Sequence, residues 1–415
     1  MPPPPAAAPS ADTHALAPHA SHTGAVALLL NVAHAIDHLM LLVFATAVSA
    51  IAIDFGVGRW EDLMPYAAGA FVLFGIGSLP AGRLGDHWGR RAMMLVFFFG
   101  IGLSSFVVAA TQSPWQMAIA LTLMGAFSSI YHPVGIPMLV QTADKPGRVI
   151  GVNGLAGNLG IAAAALLTGF LVKYFGWRTA FVVPGLIAIA CGFAFMLVAP
   201  KEHTSPSKRA PKIVDLPRAT LARVFLVLTL TSTFGSLVFN FTTNGNGELL
   251  RERLASITVD PATIGALLAA VYAIASLAQV VVGRLIDRMP LKKLFLGIVA
   301  MQIPLFALAA HAQGWALYAF ALGFMVFVFG AIPFTDALIV RYVDDRMRSR
   351  VAGVRLAVSF GISALAVYLL GPVVKASGFD FLLFLLAVIA GCSLLAILGL
   401  PEQSPHKAAA PGQTA

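Results

Sequence analysis

Charged residues are scarce in this sequence. Only 11% of its 415 residues are Asp, Glu, Lys or Arg, and 59% are apolar, whereas roughly a quarter of the residues of a soluble globular protein are charged. This shortage excludes an ordinary soluble protein. Cysteine is rare as well, and because Cys191 and Cys392 both lie inside apolar runs, neither a disulfide framework nor a cysteine-based metal site is expected.

Two further features are missing. The sequence contains no Gly-x-x-x-x-Gly-Lys-Ser/Thr loop, so a pump driven by nucleotide binding to this chain is not supported. The first 24 residues contain no Lys or Arg and therefore lack the basic start of a secretory signal. We expect residues 1–24 to form a disordered cytoplasmic tail.

Long apolar runs are what the sequence does contain. Twelve of them can cross a bilayer about 30 Å thick at 1.5 Å per helical residue, and they are too long for barrel strands of about ten residues. They are 25–53, 63–82, 92–110, 114–140, 149–175, 179–198, 221–242, 264–285, 294–310, 315–340, 351–374 and 381–398. We therefore predict an all-α membrane protein with twelve transmembrane helices.

The net charge of +9 follows from where the basic residues lie. Of the 27 Lys and Arg residues, twenty fall on one side of the predicted helices, six fall on the other, and Arg355 alone lies well inside a span. Because basic loops stay in the cytoplasm, we predict that both termini are cytoplasmic, in a bacterial inner membrane. The charge thus needs no nucleic-acid partner.

The sequence repeats at an offset of about 201 to 202 residues. The matches in register are Gly82-Arg83-Leu84 and Asp86 with Gly283-Arg284-Leu285 and Asp287, residues 148–152 with 350–354, Gly169 and Lys173 with Gly371 and Lys375, and Cys191 with Cys392. Parallel duplications of this kind are typical of transporters. The predicted organisation is an N-terminal tail (1–24), a six-helix bundle (25–198), a cytoplasmic linker (199–220), a second six-helix bundle (221–398) and a C-terminal tail (399–415).

The turn between the second and third predicted helices, residues 82–91, reads Gly-Arg-Leu-Gly-Asp-His-Trp-Gly-Arg-Arg. It resembles the signature loop of the major facilitator superfamily, and a weaker copy occupies residues 283–293. The resemblance implies a secondary transporter in which this loop stabilises the outward-facing state by bridging the halves near the eleventh helix, which begins near Arg350. The expected gating residues are Gly82, Asp86, Gly89, Arg90, Arg91, Gly283, Asp287 and Asp336.

Four polar residues share much of one face of the first helix. Asn31, His34, Asp37 and His38 are spaced three or four residues apart. Such groups are expensive at membrane depth, and His changes charge near physiological pH. We hypothesise that Asp37, with His34 and His38, carries a coupling proton; the alternative is a satisfied polar network that fixes the first helix to its neighbours.

The fourth and fifth predicted helices add further candidates. Tyr131-His132-Pro133 lies near mid-membrane, and since the first and fourth helices line the central cavity in the family, His132 is expected to face Asp37; a purely structural role is the alternative. The fifth helix carries Gly151, Gly154, Gly157, Gly160, Asn153 and Asn158. It resembles the glycine-rich motif of the family's drug antiporters, except that Asn158 stands where that motif has a proline. A second departure lies on the fourth helix, where Leu121 stands in place of the arginine that those antiporters carry. The proton site would then be the cluster on the first helix.

Two motifs together resemble the fosmidomycin-resistance-like branch of the superfamily. The first combines Ala33-His34 and Asp37-His38 on the first helix with Tyr131-His132-Pro133 on the fourth. The second is Gly157-Asn158-Leu159-Gly160. The resemblance implies proton-driven efflux of a small polar or anionic compound.

Substrate contacts are expected from several helices. Arg355 suits an anion because a guanidinium binds a carboxylate or phosphonate through two hydrogen bonds, although a gate partner for Asp86 is the alternative. On the seventh helix, residues 240–246 predict a polar, broken end that binds substrate or forms an outer gate. The predicted substrate-binding residues are Asn31, Tyr131, His132, Asn153, Asn158, Asn240, Asn244 and Arg355.

The predicted function is secondary transport by alternating access, with proton-coupled efflux ahead of proton-coupled uptake of a metabolite anion. A membrane enzyme with a metal held by His34, Asp37, His38 and His132 is a remote alternative. We expect no enzyme activity, cofactor or metal. The expected partners are a small-molecule substrate, protons and the lipid bilayer, and the protein is expected to work as a monomer.

Overall fold

The computed structural model describes residues 19–141, 146–200, 218–342 and 345–401. Helices and turns make up this part of the chain, and no β-strand occurs within it. Residues 1–18, 201–217 and 402–415, which form most of the predicted tails and linker, lie outside the described residues. The predicted all-α class is confirmed.

Eleven helices among the described residues are long and apolar enough to cross a membrane. They are α1 (His19–Asp54), α2 (Ala68–Trp88), α3 (Arg90–Ala109), α4 (Pro114–Ser128, continued by Tyr131–Gly135 and Ile136–Val140), α5 (Pro146–Phe175), α6 (Thr179–Val198), α7 (Arg218–Arg253), α8 (Pro261–Ile286), α9 (Leu291–His311), α10 (Gly314–Tyr342) and α11 (Asp345–Leu398). A short helix, Trp60–Leu63, and a 3₁₀ turn, Met64–Ala67, lead into α2. Apolar runs form helices in lipid because a helix satisfies its own backbone N–H and C=O groups.

The last helix, α11, contains the final two predicted spans. Its backbone leaves the helical conformation at Gly378, where φ is 75° and ψ is 174°. Glycine adopts a positive φ at little cost because it has no Cβ. The two arms of α11, residues 345–377 and 379–398, correspond to the eleventh and twelfth predicted helices, so the count differs from twelve only through this join.

The polar part of α7 differs from its predicted form. The expected break at residues 240–246 is absent, and the helix is continuous. The Thr242 hydroxyl donates to the Val238 carbonyl at 2.8 Å, and the Asn244 amide donates to the Asn240 carbonyl at 3.0 Å. These side chains bond to carbonyls one turn earlier, so they are satisfied without unwinding the backbone.

Helices α1 to α6 form the first half and α7 to α11 form the second. The halves meet along α5 with α8, α2 with α11, and α1 with α7. A Cβ atom built on Gly169 would lie 2.5 Å from the carbonyl oxygen of Pro261, and one built on Gly371 would lie 2.0 Å from that of Glu61. The two glycines therefore allow a backbone approach between the halves that no larger residue permits.

The outer surface of the bundle is apolar. Trp115, Leu197 and Leu395 are among many large apolar side chains that are exposed on it. Such a surface would drive aggregation in water but matches the hydrocarbon of a bilayer. The protein is an integral membrane protein.

Candidate functional site

Four ionisable side chains meet inside the first half. Asp37 is completely buried, and its Oδ2 atom lies 3.7 Å from Nε2 of His132. The imidazole ring centres of His34 and His38 are 4.9 Å apart, and they lie 5.1 and 5.7 Å from that of His132. We call Asp37, His34, His38 and His132 the Asp37 cluster. The predicted proximity of His132 and Asp37 is present in this structure.

Hydrogen bonds determine where the protons lie in the neutral form of this cluster. Nδ1 of His34 is 2.7 Å from the carbonyl oxygen of Asn153, and because a carbonyl only accepts, this nitrogen carries a proton. Nε2 of the neutral His34 ring is then an acceptor, and Nε2–H of His38 donates to it at 3.1 Å. The two histidines thus form a directed chain that ends at the Asn153 carbonyl.

Asp37 contrasts with the histidines beside it. The Ser128 hydroxyl is its polar neighbour, yet neither carboxylate oxygen has a partner in hydrogen-bonding geometry among the described residues. Burying a polar group without such a partner costs free energy, and burying a charge costs more. The native fold retains this cost, which is the usual mark of a functional group.

His132 owes its position to an irregular turn in α4. Pro133 has no backbone N–H and cannot extend the regular helical ladder, and residues Tyr131–Gly135 form a π-helical turn. Such turns shift the direction of the following side chains and are frequent at functional sites. Pro133 therefore explains why the regular α-helical hydrogen bonding of α4 gives way to a π-helical turn at His132.

Three of the predicted substrate-binding residues bond to one another. The Asn153 amide donates to the Tyr131 hydroxyl at 2.6 Å and to Oδ1 of Asn31 at 2.9 Å. The Tyr131 hydroxyl donates to the Leu30 carbonyl at 2.8 Å, and its ring stacks on His34 with centres 4.8 Å apart. This network joins α1, α4 and α5, and it contacts the Asp37 cluster through His34.

Gly157 on α5 gives the His34 ring its space. A Cβ atom at this position would lie 2.6 Å from Cε1 of His34 and 2.7 Å from Nε2. One turn further along, a Cβ at Gly160 would lie 2.1 Å from the Ala35 carbonyl oxygen. The glycine-rich stretch of the fifth helix thus seats α1 within the first half.

The remaining predicted substrate residues lie elsewhere. Asn240 donates to the Ser363 hydroxyl at 2.7 Å and so joins α7 to α11, while Asn244 bonds within α7. Asn158 is buried, and its Nδ2 atom has no hydrogen-bond partner among the described residues. Arg355 lies on the first arm of α11, and its side chain lies outside the described part of the structure.

The predicted gating loop lies at the end of the bundle where α2 ends and α3 begins. Gly89 forms its turn with φ of 89°. Arg91 donates to the carbonyls of Met196 and Ala199 at 2.7 and 2.8 Å, and Arg90 donates to Gln141 at 3.0 Å. These bonds stay within the first half. Three other predicted gating residues, Asp86, Asp287 and Asp336, are exposed. A Cβ atom built on Gly82 would lie 3.4 Å from Cβ of Pro133, whereas one built on Gly283 would meet no atom within 4 Å.

The opposite end of the bundle carries contacts between the halves that the sequence analysis did not single out. Lys173 pairs with Asp260 at 2.8 Å, and Lys375 pairs with Asp62. We call these two ion pairs the latch. The repeat could have pointed to this pair of contacts, because Gly169-x-x-x-Lys173 and Gly371-x-x-x-Lys375 occupy equivalent positions in the two halves. In the structure each lysine reaches an aspartate of the other half.

A third contact reinforces the latch end. The Ser49 hydroxyl of α1 donates to Oε1 of Glu248 on α7 at 2.8 Å, and Arg251 bonds both residues. Glu248 is buried beside this pair. At the same end, Arg178 pairs with Asp54 at 2.8 Å inside the first half. The end is therefore closed by polar bonds both within one half and between the halves.

One group among the described residues has the spacing of metal ligands. The ligand nitrogens of His34, His38 and His132 all lie within 4.8 Å of one another. In the present arrangement the Nε2 atoms of His34 and His38 are bonded to each other. The geometry therefore shows a hydrogen-bonded chain of imidazoles.

Comparisons with known proteins agree with this architecture. Residues 30–249, just over half of the chain, match the Major Facilitator Superfamily. The puromycin resistance protein pur8 of Streptomyces alboniger is 27% identical over 169 residues, 40% of this chain and 33% of that protein. The match spans about a third of the length of each of three Streptomyces relatives. The multidrug resistance protein MdtG of Escherichia coli (strain K12 / DH10B) is 23% identical over 291 residues, 68% of this chain and 70% of MdtG.

A solved structure shows the same fold. It is the crystal structure of a bacterial homologue of the human lysosomal transporter Spinster, in an inward-facing and unoccupied conformation, and it aligns with a TM-score of 0.71 at 15% sequence identity. The alignment covers 91% of this chain and 98% of that one. With its family match and its two facing helical bundles, the chain belongs to the Major Facilitator Superfamily of membrane transporters and is not an enzyme.

Proposed function

We propose that this transporter exports a small polar or anionic solute in exchange for protons, and that Asp37, His34 and His38 carry the coupling proton. The observation that carries the proposal is the Asp37 carboxylate, which is completely buried, has no hydrogen-bond partner among the described residues and lies 3.7 Å from His132. Ionisable groups at membrane depth mark ion pathways and proton relays.

The geometry supports a proton route through the cluster. Adding a proton to Asp37 removes a charge that lacks hydrogen bonds, and the neighbouring imidazoles can each accept or donate one. The bond between His34 and His38 and the bond from His34 to Asn153 fix the orientation of two of these rings. The proton therefore moves among groups that the network holds in place.

Export is supported by the names of the relatives. The Streptomyces glaucescens relative is a tetracenomycin C resistance and export protein, 28% identical over 161 residues, and MdtG and pur8 are resistance proteins. For this chain, we propose that Asn158, Asn240, Asn244, His132 and Arg355 contact the solute. Asn31, Tyr131 and Asn153 support the site indirectly, because their side chains are hydrogen-bonded to one another.

Alternating access follows from the two ends of the bundle. We propose that the latch end faces the periplasm and both termini face the cytoplasm of a bacterial inner membrane, because the basic loops lie at the other end. With the latch closed, the protein is then in an inward-facing state. The loop of residues 82–91 acts as the gate of the opposite end, and one chain in the bilayer suffices.

A proton-flux measurement tests the proposal. A thermal-shift screen of small acids, sugars and antibiotics first identifies a compound that stabilises the purified protein, since a ligand of the folded state raises its stability. Proteoliposomes that contain a pH-sensitive dye are then exposed to a gradient of that compound. We expect the wild type to move protons and Asp37→Asn to move none, because an amide cannot carry the proton.

The control is Asp54→Asn, which removes an exposed carboxylate that pairs with Arg178 within the first half. It should leave proton movement intact. Proton flux in Asp37→Asn equal to that of the wild type would reject the assignment. Accumulation of the compound in inside-out vesicles that maintain a proton gradient distinguishes export from uptake.

A further inference from the structure

A phenylalanine of the second half reaches the Asp37 cluster. The ring centre of Phe360, on the first arm of α11, lies 5.9 Å from that of His132 and 4.2 Å from that of Phe74 on α2. Phe74 in turn meets His132 at 5.7 Å with its ring nearly perpendicular. The two phenylalanines and the imidazole form one aromatic contact across the boundary between the halves.

Gly75 makes this approach possible. A Cβ atom on Gly75 would lie 2.6 Å from Cβ of Phe360 and 3.4 Å from its carbonyl carbon. Both of these Phe360 atoms are held by the backbone and cannot rotate aside, so a larger residue at position 75 must push α11 away from α2. Gly361, the residue after Phe360, has open space where its Cβ would lie.

We infer that Phe360 is a residue through which the second half senses the charge of the His132 and Asp37 pair. This inference rests on the proposed proton coupling and adds His132, whose Nε2 atom lies 3.7 Å from Oδ2 of Asp37, to the groups that share the proton. Proton binding can shift the balance between two conformations only if the proton interacts differently with the two. A partner that moves together with the cluster supplies no such difference.

Several contacts of the cluster belong to its own half. Asn153, Tyr131 and Phe74 lie on α5, α4 and α2 of that half, so they accompany the cluster when the half moves as a body. Phe360 belongs to the other half and separates from His132 when α11 moves away from α2. The planes of the His132 and Phe360 rings are inclined at 57°. Because a cation within about 6 Å of a ring centre is attracted by the electrons of the ring face, we expect protonation of His132 to favour the arrangement seen here.

Other titratable groups also face His132. Asp37, His34 and His38 approach it from α1, and Tyr131 precedes it on α4. Among the described side chains of α2 and α11, those in ring contact with His132 are Phe74 and Phe360, which do not titrate. The latch end has carboxylates of its own, which can add a separate pH dependence. A test must therefore subtract the response that remains without Asp37.

The experiment measures how pH changes the opening of the latch end. Cys191 and Cys392 are replaced by Ser, and spin labels are attached through Ile53→Cys and Val259→Cys, which lie on opposite halves and are 79% and 69% exposed. Distances between the labels are recorded in lipid nanodiscs from pH 8 to pH 5. We expect acidification of the wild-type background to increase the population with the short distance.

Substitutions at Phe360 then separate the outcomes. Phe360→Leu should abolish most of this pH dependence, Phe360→Tyr should retain it because the ring remains, and Gly361→Ala should match the wild type. Gly75→Ala should reduce the response by displacing Phe360, and it supplies a second variant if Phe360→Leu folds poorly.

Two failures can be told apart. If the background with an intact cluster shows no more pH dependence than Asp37→Asn, the proposed proton site is wrong. If Asp37→Asn loses the response but Phe360→Leu and Gly75→Ala both keep it, the proton site stands and the role of Phe360 is overturned.

Discussion

The Asp37 cluster and the latch are built in opposite ways. The cluster lies deep inside one half and is held by the hydrogen bond from His34 to the Asn153 carbonyl and by ring contacts such as that of His34 with Tyr131. The latch joins the two halves through partly exposed lysines and aspartates at one end of the bundle. The Asp37 cluster is therefore fixed within the first half, whereas the latch connects the two halves.

This difference indicates which parts can change during a transport cycle. Exposed ion pairs contribute only about 0–1 kcal/mol each, so the latch can open and close without large cost. A buried network is sensitive to the loss of one partner, about 1–3 kcal/mol for a single unsatisfied group. The cluster should therefore respond to packing changes, and the latch should respond to charge changes.

The largest expected effect comes from adding one methyl group beside the cluster. Gly157→Ala places a Cβ 2.6 Å from the His34 ring and should lower the free energy of unfolding by about 1–3 kcal/mol, the usual cost of overpacking. It should also weaken proton flux, because His34 can no longer reach Asn153. Unfolding in detergent and the dye assay measure the two effects.

Two controls show whether His34 is the cause. Gly151→Ala, where a Cβ meets nothing within 4 Å, should be neutral or stabilising by about 0.4–1 kcal/mol. In a His34→Ala background, Gly157→Ala should lose most of its cost. If the cost persists there, the glycine serves α5 packing and not the histidine.

A smaller effect is expected from removing one latch residue. Lys173→Ala breaks a pair between the halves, whereas Arg178→Ala breaks the pair with Asp54 inside the first half, and both pairs measure 2.8 Å. Lys173→Ala should move the distance between labels at residues 53 and 259 modestly towards the open population, because exposed ion pairs are weak. Arg178→Ala should leave that population unchanged, and equal shifts in the two variants would show that the latch does not control opening.

The smallest effect concerns the pH dependence of the latch itself. The hydrogen bond from Lys173, followed by that from Thr263, lowers the pKa of Asp260 below its usual 3.8. The folded protein thus favours the ionised carboxylate, so this contribution is complete above pH 3.8 and is lost as the pH falls through the lowered pKa. The label distance should show a small opening below about pH 4 that is absent in Asp260→Asn. An opening that Asp260→Asn retains would belong to another group.

Much of the architecture was predictable because the bilayer restricts what a backbone can do. Apolar length alone indicated the spans, and the repeat of Gly82-Arg83-Leu84 at residues 283–285 indicated two halves. The prediction failed at residues 240–246, where asparagine and threonine side chains bond along a continuous helix. Composition cannot distinguish a polar side chain that breaks a helix from one that bonds back to it.

The sequence by itself placed three ionisable residues on one face of α1, since a spacing of three and four residues is fixed by the helix. It could not decide that Gly157 seats His34, that Phe360 meets His132, or that Lys173 and Lys375 reach aspartates of the opposite half. Those contacts join residues far apart in the chain, so helix periodicity carries no information on them. Only the packing of one helix against another determined which polar groups are paired and which, like Asp37, remain without a hydrogen bond among the described residues.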